Sequence, residues 1–542
     1  MSPDRPDPNL PRGVQALLFD AADRRRGAED AIVSVLRAAG LREIILPVLD
    51  YADPYAGVTA EGDERLYRFL DREGQTLSLR ADFTPMAARI IAPRLGQLSG
   101  RASLFYRGDV VRDEETGVGR PREFAQVGAE RYGDARFEAD EEMLRLLLSA
   151  LGVLPAGRLR LTLGYAGLLR KVIEAAAPGL AGPDGRGLES VMRGVRERRV
   201  SSLANLLLHG GASSSAAAEI ADGLLRGFDT LSDLFRGAAV AAEAERLGRA
   251  VAVARAARAG LSVVVDLAAT PDAPYYTGLT FAVDAAGVPG ALAAGGRYDA
   301  LLARFGVSAP ALGFCIGLEA LAAAASASDS EAVRPLRIAV GKGRLLGRTL
   351  AALREGGAAF GEPDGRRLLV PSSDGVYELL LLKDDDVPTY VAHGGADLGV
   401  VGSDRVAESG EDVFSPVDLP FGECRLSLIG RAGEAFRPNG QPVRVGTKYR
   451  RLAARFFDAR KIAHEIVPLA GSVELAAALQ LTDVVVDLIE TGSTIAANGL
   501  AEIETIEKSR ATVIVGRAAL VSRRGEIAAF LGRLREKAGA PC

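Results

Sequence analysis

The C-terminal part of this chain contains the stretch VVVDLIETGSTIAANGL at residues 484–500. Its apolar, β-branched start predicts a buried strand, and the small hydroxyl-bearing residues that follow predict a turn into a helix. A glycine in such a turn lets the backbone approach a phosphate, and the first N–H groups of a helix attract anions. We predict a phosphate-binding turn formed by Thr491, Gly492, Ser493 and Thr494.

Two acidic residues, Asp487 and Glu490, stand beside this turn. Carboxylates do not bind phosphate, but they accept hydrogen bonds from ribose hydroxyls and coordinate a phosphate-bound Mg²⁺. The combination indicates a sugar phosphate as the ligand. The turn alone leaves open an ordinary strand–turn–helix whose Ser and Thr residues only cap the helix.

Length and composition exclude several classes of function. A chain of 542 residues is too long for one core and predicts about three or four domains. Hydrophobic residues make up 48% and charged residues 25%, as in ordinary globular proteins. The net charge is −4 and no long basic block occurs, so we expect no nucleic-acid partner.

Cysteine and histidine are too sparse for a metal or disulfide framework. The three cysteines and three histidines are scattered, so we expect no metal held by protein side chains, and Mg²⁺ would arrive on the substrate. The start, MSPDRPDPNLPRG, is polar and unlike a signal peptide. No stretch approaches the roughly 18 apolar residues of a membrane span, so we predict a soluble cytoplasmic protein with no membrane partner.

A stretch of small residues, LAAAASASDSEAVRP at 321–335, predicts a linker. Before it, a hairpin at 107–133 and a block of helices from about 165 to 258 predict an α+β domain with an antiparallel sheet. After it, strands and helices alternate. The predicted divisions are a front domain at 1–323, a linker at 324–335, a first lobe at 336–430 plus 512–542, and a second lobe at 431–511.

Five motifs of the front domain occur together: RADFTP (80–85), REFAQVGAE (122–130), YYTG (275–278), GGRYD (295–299) and LGFCIGLE (312–319). This set resembles the catalytic core of histidyl-tRNA synthetase, a class II synthetase. The resemblance implies that an ammonium lies at the acidic residue of the first motif, a carboxylate at one of two arginines, and an imidazole between tyrosines. The implied histidine-binding residues are Asp82, Thr84, Arg107, Arg112, Gln126, Glu130, Tyr275 and Tyr276.

Two departures from that family concern its cationic residues. Pro271 stands where the family carries an arginine ahead of the tyrosines, and Ala320 replaces the arginine of the last motif. Both arginines stabilise the charge that develops when an aminoacyl adenylate forms. No anticodon-binding domain follows. The front domain therefore resembles the synthetase-derived regulatory subunit of ATP phosphoribosyltransferase, and we expect it to bind histidine without aminoacylation.

The stretch 484–500 resembles the phosphoribosyl-diphosphate loop of ATP phosphoribosyltransferase, the first enzyme of histidine biosynthesis. The resemblance implies an α/β bilobal catalytic domain of the periplasmic-binding-protein type, with ATP and phosphoribosyl diphosphate as substrates and histidine as inhibitor. It implies a symmetric homo-oligomer, a tetramer. It also implies that the chain is the short form, with no room for the long form's C-terminal regulatory domain.

The resemblance also implies roles for the charged residues of the back half. Catalytic positions would be Asp487, Glu490, Lys342 and Arg344, and ATP or pyrophosphate would lie at Lys383, Arg425 and Lys448. Two other functions stay open: an active histidyl-tRNA synthetase, which the two lost arginines oppose, and an amino-acid-binding module without transferase activity. Binding of phosphoribosyl diphosphate would distinguish the last of these from a transferase.

Overall fold

In the computed structural model, the chain divides into two units. The first lies within Met1–Val333 and Arg517–Arg524, and the second within Arg334–Gly516 and Gly525–Cys542. The structure describes residues 10–58, 66–113, 121–181, 186–196, 200–228, 232–237, 239–268, 275–285, 288, 290–326, 334–361, 367–433, 436, 440–471 and 473–538. Most of the predicted linker, 327–333, lies outside these ranges, whereas its first residues, 324–326, end a helix.

The strands of the first unit build a large sheet and a small one. They are β1 Arg42–Glu43, β2 Leu49–Tyr51, β3 Arg68–Leu70, β4 Thr76–Leu79, β5 Ala102–Val111, β6 Glu123–Tyr132, β7 Leu159–Tyr165, β8 Ser262–Val265, β9 Leu279–Ala285, β10 Ala291–Arg297 and β11 Ala311–Gly317. Among the described residues the large sheet has the order β1-β5-β6-β11-β10-β9-β7-β8, and the small sheet has the order β2-β4-β3.

The large sheet is antiparallel except at its two edges, where β1 joins β5 and β8 joins β7 in parallel. The predicted hairpin at 107–133 is the β5–β6 pair, in which Tyr106 faces Gly128 and Arg107 faces Val127. This antiparallel α+β architecture confirms the fold class predicted for the front part. It is the scaffold that positions the pocket described below.

Helices cover the first unit's sheet because alternate strand residues are apolar. Phe105, Val127 and Ala129 of the hairpin join one buried cluster with apolar residues of α1, α3 and α8. The opposite face of the same strands carries Tyr106 and Glu130 and is covered by α2. The helices are α1 Asp20–Ala38, α2 Phe83–Ile91, α3 Phe137–Ala150, α4 Leu168–Ala176, α5 Arg186–Arg196, α6 Val200–His209, α7 Ser214–Arg226, α8 Ala241–Ala257 and α9 Leu318–Ser326.

The rest of the chain alternates strand and helix, as predicted. Its strands are β12 Leu336–Gly341, β13 Leu369–Pro371, β14 Tyr377–Leu382, β15 Leu398–Gly402, β16 Val413–Asp418, β17 Cys424–Arg431, β18 Val443–Thr447, β19 His464–Pro468, β20 Val484–Ile489, β21 Leu500–Ser509 and β22 Ala511–Gly516. Its helices are α10 Leu346–Glu355, α11 Val387–Ala392, α12 Ser403–Ser409, α13 Arg450–Ala459, α14 Val473–Ala478, α15 Ser493–Ala497, α16 Arg517–Ser522 and α17 Arg524–Ala538.

Two mixed sheets form the second unit. Within the described ranges, six strands follow the order β13-β14-β12-β15-β22-β16 and five follow β19-β18-β20-β17-β21. Each contains three parallel neighbours, β14-β12-β15 in one and β19-β18-β20 in the other, and the remaining strands join antiparallel. The α/β class predicted for this part is therefore confirmed.

One strand lies in a different sheet from the one predicted. Residues up to 430 were assigned to the first lobe, but β17 pairs with β20 and β21 in the five-stranded sheet. The reason is that Leu426 and Leu428 pack into the core of that sheet together with Val445 and Val486.

Candidate functional site

The predicted phosphate turn lies between β20 and α15. Gly492 has φ +84°, a left-handed conformation that favours glycine, and a Cβ there would meet only Ile489 Cγ2, at 3.8 Å. Glycine is therefore needed for the conformation of the turn rather than for space. The hydroxyls of Thr491 and Ser493 lie 3.0 Å apart, and Thr491 and Thr494 are exposed. These hydroxyls are therefore open to solvent.

A lysine and a carboxylate meet next to this turn. Lys448 follows β18 and Asp487 lies near the end of β20, two strands that run parallel with Thr447 opposite Val486. Because parallel neighbours end at the same edge, the two side chains come together, with Lys448 Nζ 3.2 Å from Asp487 Oδ1. The structure thus brings together one residue predicted for the phosphates and one predicted for the ribose.

Arg425 reaches the same edge from β17 but is held by a carboxylate. Its guanidinium contacts both oxygens of Glu502, with Nε at 2.9 and 2.8 Å, while Nη1 lies 3.5 Å from the carbonyl oxygen of Glu490. Hydrogen bonding by Arg425, with smaller contributions from Thr505 and Ser427, lowers the pKa of Glu502 to about 2. Arg425 is therefore compensated by a permanently charged partner that the sequence analysis did not identify.

The ends of β12 and β14 supply the remaining predicted cations, and the turn after β12, residues 342–344, is called the basic turn. Lys342 and Arg344 are exposed, and Arg344 forms an ion pair with Glu490 of the phosphate turn. Lys383 follows β14, whose Leu382 lies opposite Gly341 in the parallel pair, so Lys342 and Lys383 leave the six-stranded sheet at one edge. These cations and the phosphate turn of the five-stranded sheet form one candidate site.

Asp384 fixes the shape of the basic turn and was missed from the sequence. A Cβ at Gly341 would lie 1.5 Å from Asp384 Oδ1, and one at Gly343 would lie 2.6 Å from Oδ2. Two glycines are needed because this carboxyl occupies the space beside them, where burial raises its pKa. The run of three aspartates at 384–386 is visible in the sequence. Its contact with Gly341 and Gly343 can be predicted only if β12 and β14 are known to be neighbours.

The motif residues of the first unit converge on α2 and the middle of the hairpin. Asp82 caps α2 by accepting a hydrogen bond from Thr84 N at 3.0 Å, and Tyr275 Oη donates to its other oxygen at 3.3 Å. Thr84 Oγ1 donates to Glu130 Oε1 at 2.7 Å. Asp82, Thr84, Glu130 and Tyr275, four of the residues predicted for the histidine pocket, are therefore one hydrogen-bonded group.

Glu130 is the most deeply buried charged residue of this pocket. It is fully buried, and burial raises its pKa to about 8, whereas hydrogen bonds from Tyr298 and Thr84 act in the opposite direction. Burial also raises the pKa of Asp82, against the opposing charge of Arg112. Two carboxyls whose ionisation is disfavoured by burial form a site that gains from an added cation.

Aromatic rings wall the pocket. Tyr275 and Tyr276 have ring centroids 5.1 Å apart, and Tyr298 meets Tyr275 edge-on at 5.6 Å. Tyr298 also donates a hydrogen bond to Glu130. It was not identified as a pocket residue from the sequence, although it stands in the GGRYD motif. Gln126 lies on the same face of the sheet and contacts the sulfur of Cys315 at 3.8 Å.

Arg107, one of two arginines predicted for the ligand carboxylate, lies on the wrong face of the sheet. It is opposite Val127, a core residue, and its guanidinium contacts Glu29 at 3.3 Å and Glu43 at 3.0 Å. Side chains alternate between faces along a strand, so Arg107 cannot share the face of Tyr106. Arg112 donates to Ala81 O at 3.1 Å, next to Asp82, and is the arginine that remains.

The two departures from the synthetase motifs have different outcomes. Ala320 packs against the main core of the first unit, and the preceding Glu319 accepts a hydrogen bond from Ala125 N at 3.0 Å. Pro271 lies outside the described residues.

Among the described residues, no group of three or more His, Cys, Asp or Glu side chains could hold a metal ion. None of the described helices combines the length and apolarity needed to cross a membrane.

Comparison with known proteins divides the chain in the same way. The sequence profile of the histidyl-tRNA synthetase family matches residues 13–321, and that of the ATP phosphoribosyltransferase family matches residues 383–536. The ATP phosphoribosyltransferase of Thermus thermophilus is 42% identical over 205 residues, which are 38% of this chain and 98% of that protein. The enzyme of Deinococcus deserti is 45% identical over 201 residues, 37% of this chain and 92% of that protein.

One solved structure resembles the fold over a longer part of the chain. It is described as an ATP phosphoribosyltransferase regulatory subunit/histidyl-tRNA synthetase from Bacillus halodurans. It has a TM-score of 0.51 and 22% sequence identity, and it covers 69% of this chain and 92% of its own. At that identity the likeness concerns the fold alone, and it agrees with the class II synthetase-like architecture of the first unit.

Proposed function

We propose that a histidine-binding pocket in the N-terminal part of this chain controls catalysis by its C-terminal part. The chain belongs to the histidyl-tRNA synthetase family through its N-terminal part and to the ATP phosphoribosyltransferase family through its C-terminal part. The C-terminal part is an ATP phosphoribosyltransferase. In this reaction N1 of ATP attacks C1 of phosphoribosyl diphosphate, the bond from C1 to the diphosphate oxygen breaks, and pyrophosphate leaves. It is the first step of histidine biosynthesis.

The catalytic site needs no general base, since N1 of adenine has a lone pair. It has to orient two anionic substrates and neutralise the leaving pyrophosphate. We assign the 5-phosphate to the turn Thr491–Thr494, the ribose hydroxyls to Asp487 and Glu490, and the leaving pyrophosphate to Lys342 and Arg344. Lys383, Arg425 and Lys448 are assigned to the phosphates of ATP or to pyrophosphate, and Mg²⁺ enters bound to the diphosphate.

The observation that carries this assignment is the pairing of unlike charges beside the phosphate turn. Lys448 lies 3.2 Å from Asp487, and Arg344 pairs with Glu490. Each pair joins a cation suited to phosphate with a carboxylate suited to ribose hydroxyls. A sugar diphosphate satisfies both halves of each pair at once, whereas a simple anion or a simple sugar satisfies only one.

For the N-terminal pocket we propose histidine as the ligand. Asp82 and Glu130 supply carboxyl groups that ionise to pair with its ammonium, Arg112 supplies the charge for its carboxylate, and Tyr275 and Tyr276 flank the imidazole with Gln126 and Thr84 at its edge. Ala320 supports the loss of aminoacylation, because a methyl group packed on the core offers no charge to an adenylate.

Three further statements belong to this proposal. The domain limits are 1–323, 324–335 and 336–542, with the boundary between the lobes of the second unit ahead of Cys424. The two lobes form a cleft of the periplasmic-binding-protein type. The enzyme acts as a homotetramer in the cytoplasm, where ATP and phosphoribosyl diphosphate are made and used.

The decisive experiment mixes the purified full chain with ATP, phosphoribosyl diphosphate and Mg²⁺ and follows phosphoribosyl-ATP by absorbance while histidine is titrated. We expect turnover that histidine suppresses. Turnover indifferent to histidine would refute the regulatory pocket and leave the catalytic assignment. Absence of turnover, with formation of histidyl adenylate instead, would support the synthetase alternative. Sedimentation of the active protein as a monomer would refute the tetramer.

A further inference from the structure

One buried carboxylate joins the two sheets of the second unit. Asp404 stands at the start of α12, directly after β15 of the six-stranded sheet. Its Oδ2 accepts a hydrogen bond from Tyr449 Oη at 2.8 Å, and its Oδ1 accepts one from Ser509 Oγ at 2.6 Å. Tyr449 follows β18 and Ser509 ends β21, so both donors belong to the five-stranded sheet. All three side chains are buried.

The arrangement around Asp404 is built for this contact. A Cβ at Gly402 would lie 2.3 Å from Asp404 Oδ1, so glycine is required there to admit the carboxylate. Burial, reinforced by the charge of Asp404, raises the pKa of Tyr449 well above its usual range. The phenol therefore stays protonated and remains the donor. Arg405 covers the group, with its guanidinium carbon 4.8 Å from the centre of the Tyr449 ring.

The same contact continues into the candidate catalytic site. Tyr449 N donates to Thr447 Oγ1 at 2.8 Å, and Thr447 Oγ1 donates to Val486 O at 2.7 Å. Lys448 stands between Thr447 and Tyr449 in the sequence, and Asp487 directly follows Val486. The backbone of the Lys448–Asp487 pair is therefore tied, through two buried hydroxyls, to a carboxylate of the other sheet.

We propose that Asp404 is a positioning residue for phosphoribosyl transfer: through Tyr449 and Ser509 it holds the Lys448–Asp487 pair in register with the basic turn 342–344. The reaction needs both groups at once, because one end of phosphoribosyl diphosphate lies at the phosphate turn and the other at the basic turn. A misplacement of about 1 Å between groups that act together can cost about a hundredfold in rate. This inference rests on the site proposed above.

The test uses two conservative variants of the full chain, Tyr449→Phe and Ser509→Ala. The first removes one hydrogen bond to the Asp404 carboxylate, and the second removes the other together with the contacts of Ser509 Oγ with Asp404 N and Ser403 Oγ. We expect kcat to fall at least tenfold in each. Ribose 5-phosphate, which lacks the diphosphate and needs only the phosphate turn, should keep its inhibition constant within twofold. Tyr390→Phe is the matched control, since this tyrosine is 44% exposed on α11 of the same unit.

The outcomes separate positioning from stability and from a wrong site. Unchanged kcat in both folded variants would overturn the proposal. A loss of kcat that comes with an equal weakening of ribose 5-phosphate and a lower melting temperature would also overturn it, because the contact would then be structural only. If Lys448→Ala and Asp487→Ala leave turnover unchanged as well, the proposed site itself is wrong.

Discussion

The two candidate sites of this chain carry their charge in opposite ways. In the N-terminal pocket, Glu130 is fully buried and its pKa is raised to about 8, and its oxygens are held by hydroxyl donors. At the phosphate turn, Arg344 and Glu490 are 51% and 55% exposed and compensate each other by pairing. In the N-terminal pocket, burial disfavours ionisation of the carboxyl groups. At the phosphate turn, the charged groups are exposed to solvent and pair with opposite charges.

This difference in burial affects how each site can bind a ligand. A buried carboxyl group gains from a cation that enters, so we expect the pocket to favour a small cationic ligand and its binding to depend on pH. Exposed ion pairs cost little to separate, so the phosphates and ribose of a substrate can replace both partners in every turnover. The contrast matches a sensor on one side and a catalyst on the other, and the following predictions test it.

The largest effect is expected at Lys448. Lys448→Ala removes the cation beside the turn and leaves the Asp487 carboxylate facing a phosphate, so kcat/KM for phosphoribosyl diphosphate should fall by about 10²–10³. The measurement is the initial rate of phosphoribosyl-ATP formation. Lys508→Ala, at an exposed position of the same five-stranded sheet, is the matched control and should stay within twofold. A loss of less than threefold for Lys448→Ala would contradict the assignment.

The next effect concerns the ligand of the buried pocket. Glu130→Gln keeps the shape but cannot form the carboxylate that an entering ammonium favours, so the inhibition constant of histidine should rise about tenfold to a hundredfold, the range for a hydrogen bond to a charged group. Histidine is titrated against each variant's own uninhibited rate. Glu142→Gln changes a carboxylate that is 51% exposed and paired with Arg131, and it serves as control. Equal inhibition of both variants would move the regulatory site elsewhere.

The sequence predicted local structure correctly where the residues of a candidate site are contiguous. VVVDLI–ETGST contains a strand, a turn and its hydroxyls in one segment, and the strand–turn–helix was predicted correctly from it. The sequence did not predict contacts between distant segments of the chain. Asp384 acts on Gly341 and Gly343 only because β12 and β14 are neighbours. Likewise, Lys448 meets Asp487 only because β18 and β20 are parallel neighbours in the folded sheet.

Two further cases show where a sequence pattern could or could not have helped. The alternation along β5 would have excluded Arg107, since it shares a face with Phe105 of the core and not with Tyr106. For β17 no pattern could decide, because an apolar strand such as CRLSLIGR fits either sheet of the second unit equally well. Its assignment depends on the partners Leu426 and Leu428 find in the folded chain.

A smaller effect should appear in the pH dependence of stability. Because burial raises the pKa of Glu130 from 4.5 to about 8, the folded chain keeps a proton that the unfolded chain releases. The stability linked to this proton is fully present below pH 4.5 and is lost as the pH rises toward 8. Glu130→Gln cannot ionise, so its melting temperature relative to the unaltered protein should rise between pH 6 and pH 9, on the order of 5 °C.

Calorimetry at both pH values tests this point by comparing the variant with the unaltered protein. Glu142→Gln should run parallel to the unaltered protein. Parallel curves for Glu130→Gln would mean that Glu130 is already ionised in the folded chain. The contrast between a site of disfavoured charge and a site of favoured charge would then fail.

The smallest effect is expected for the Arg344–Glu490 pair, and it is the one that the contrast depends on most directly. Both side chains are about half exposed, so a double-mutant cycle with Arg344→Ala and Glu490→Ala should give a coupling to stability below about 1 kcal/mol. The same cycle at Arg444 and Asp483, which are 46% and 47% exposed within one sheet, is the matched control and should behave alike. The coupling should shrink further in high salt, since solvent screens such pairs. A strong, salt-resistant coupling would mean that the pair is a structural link between the two sheets, and a substrate would then have to break that link before it could bind.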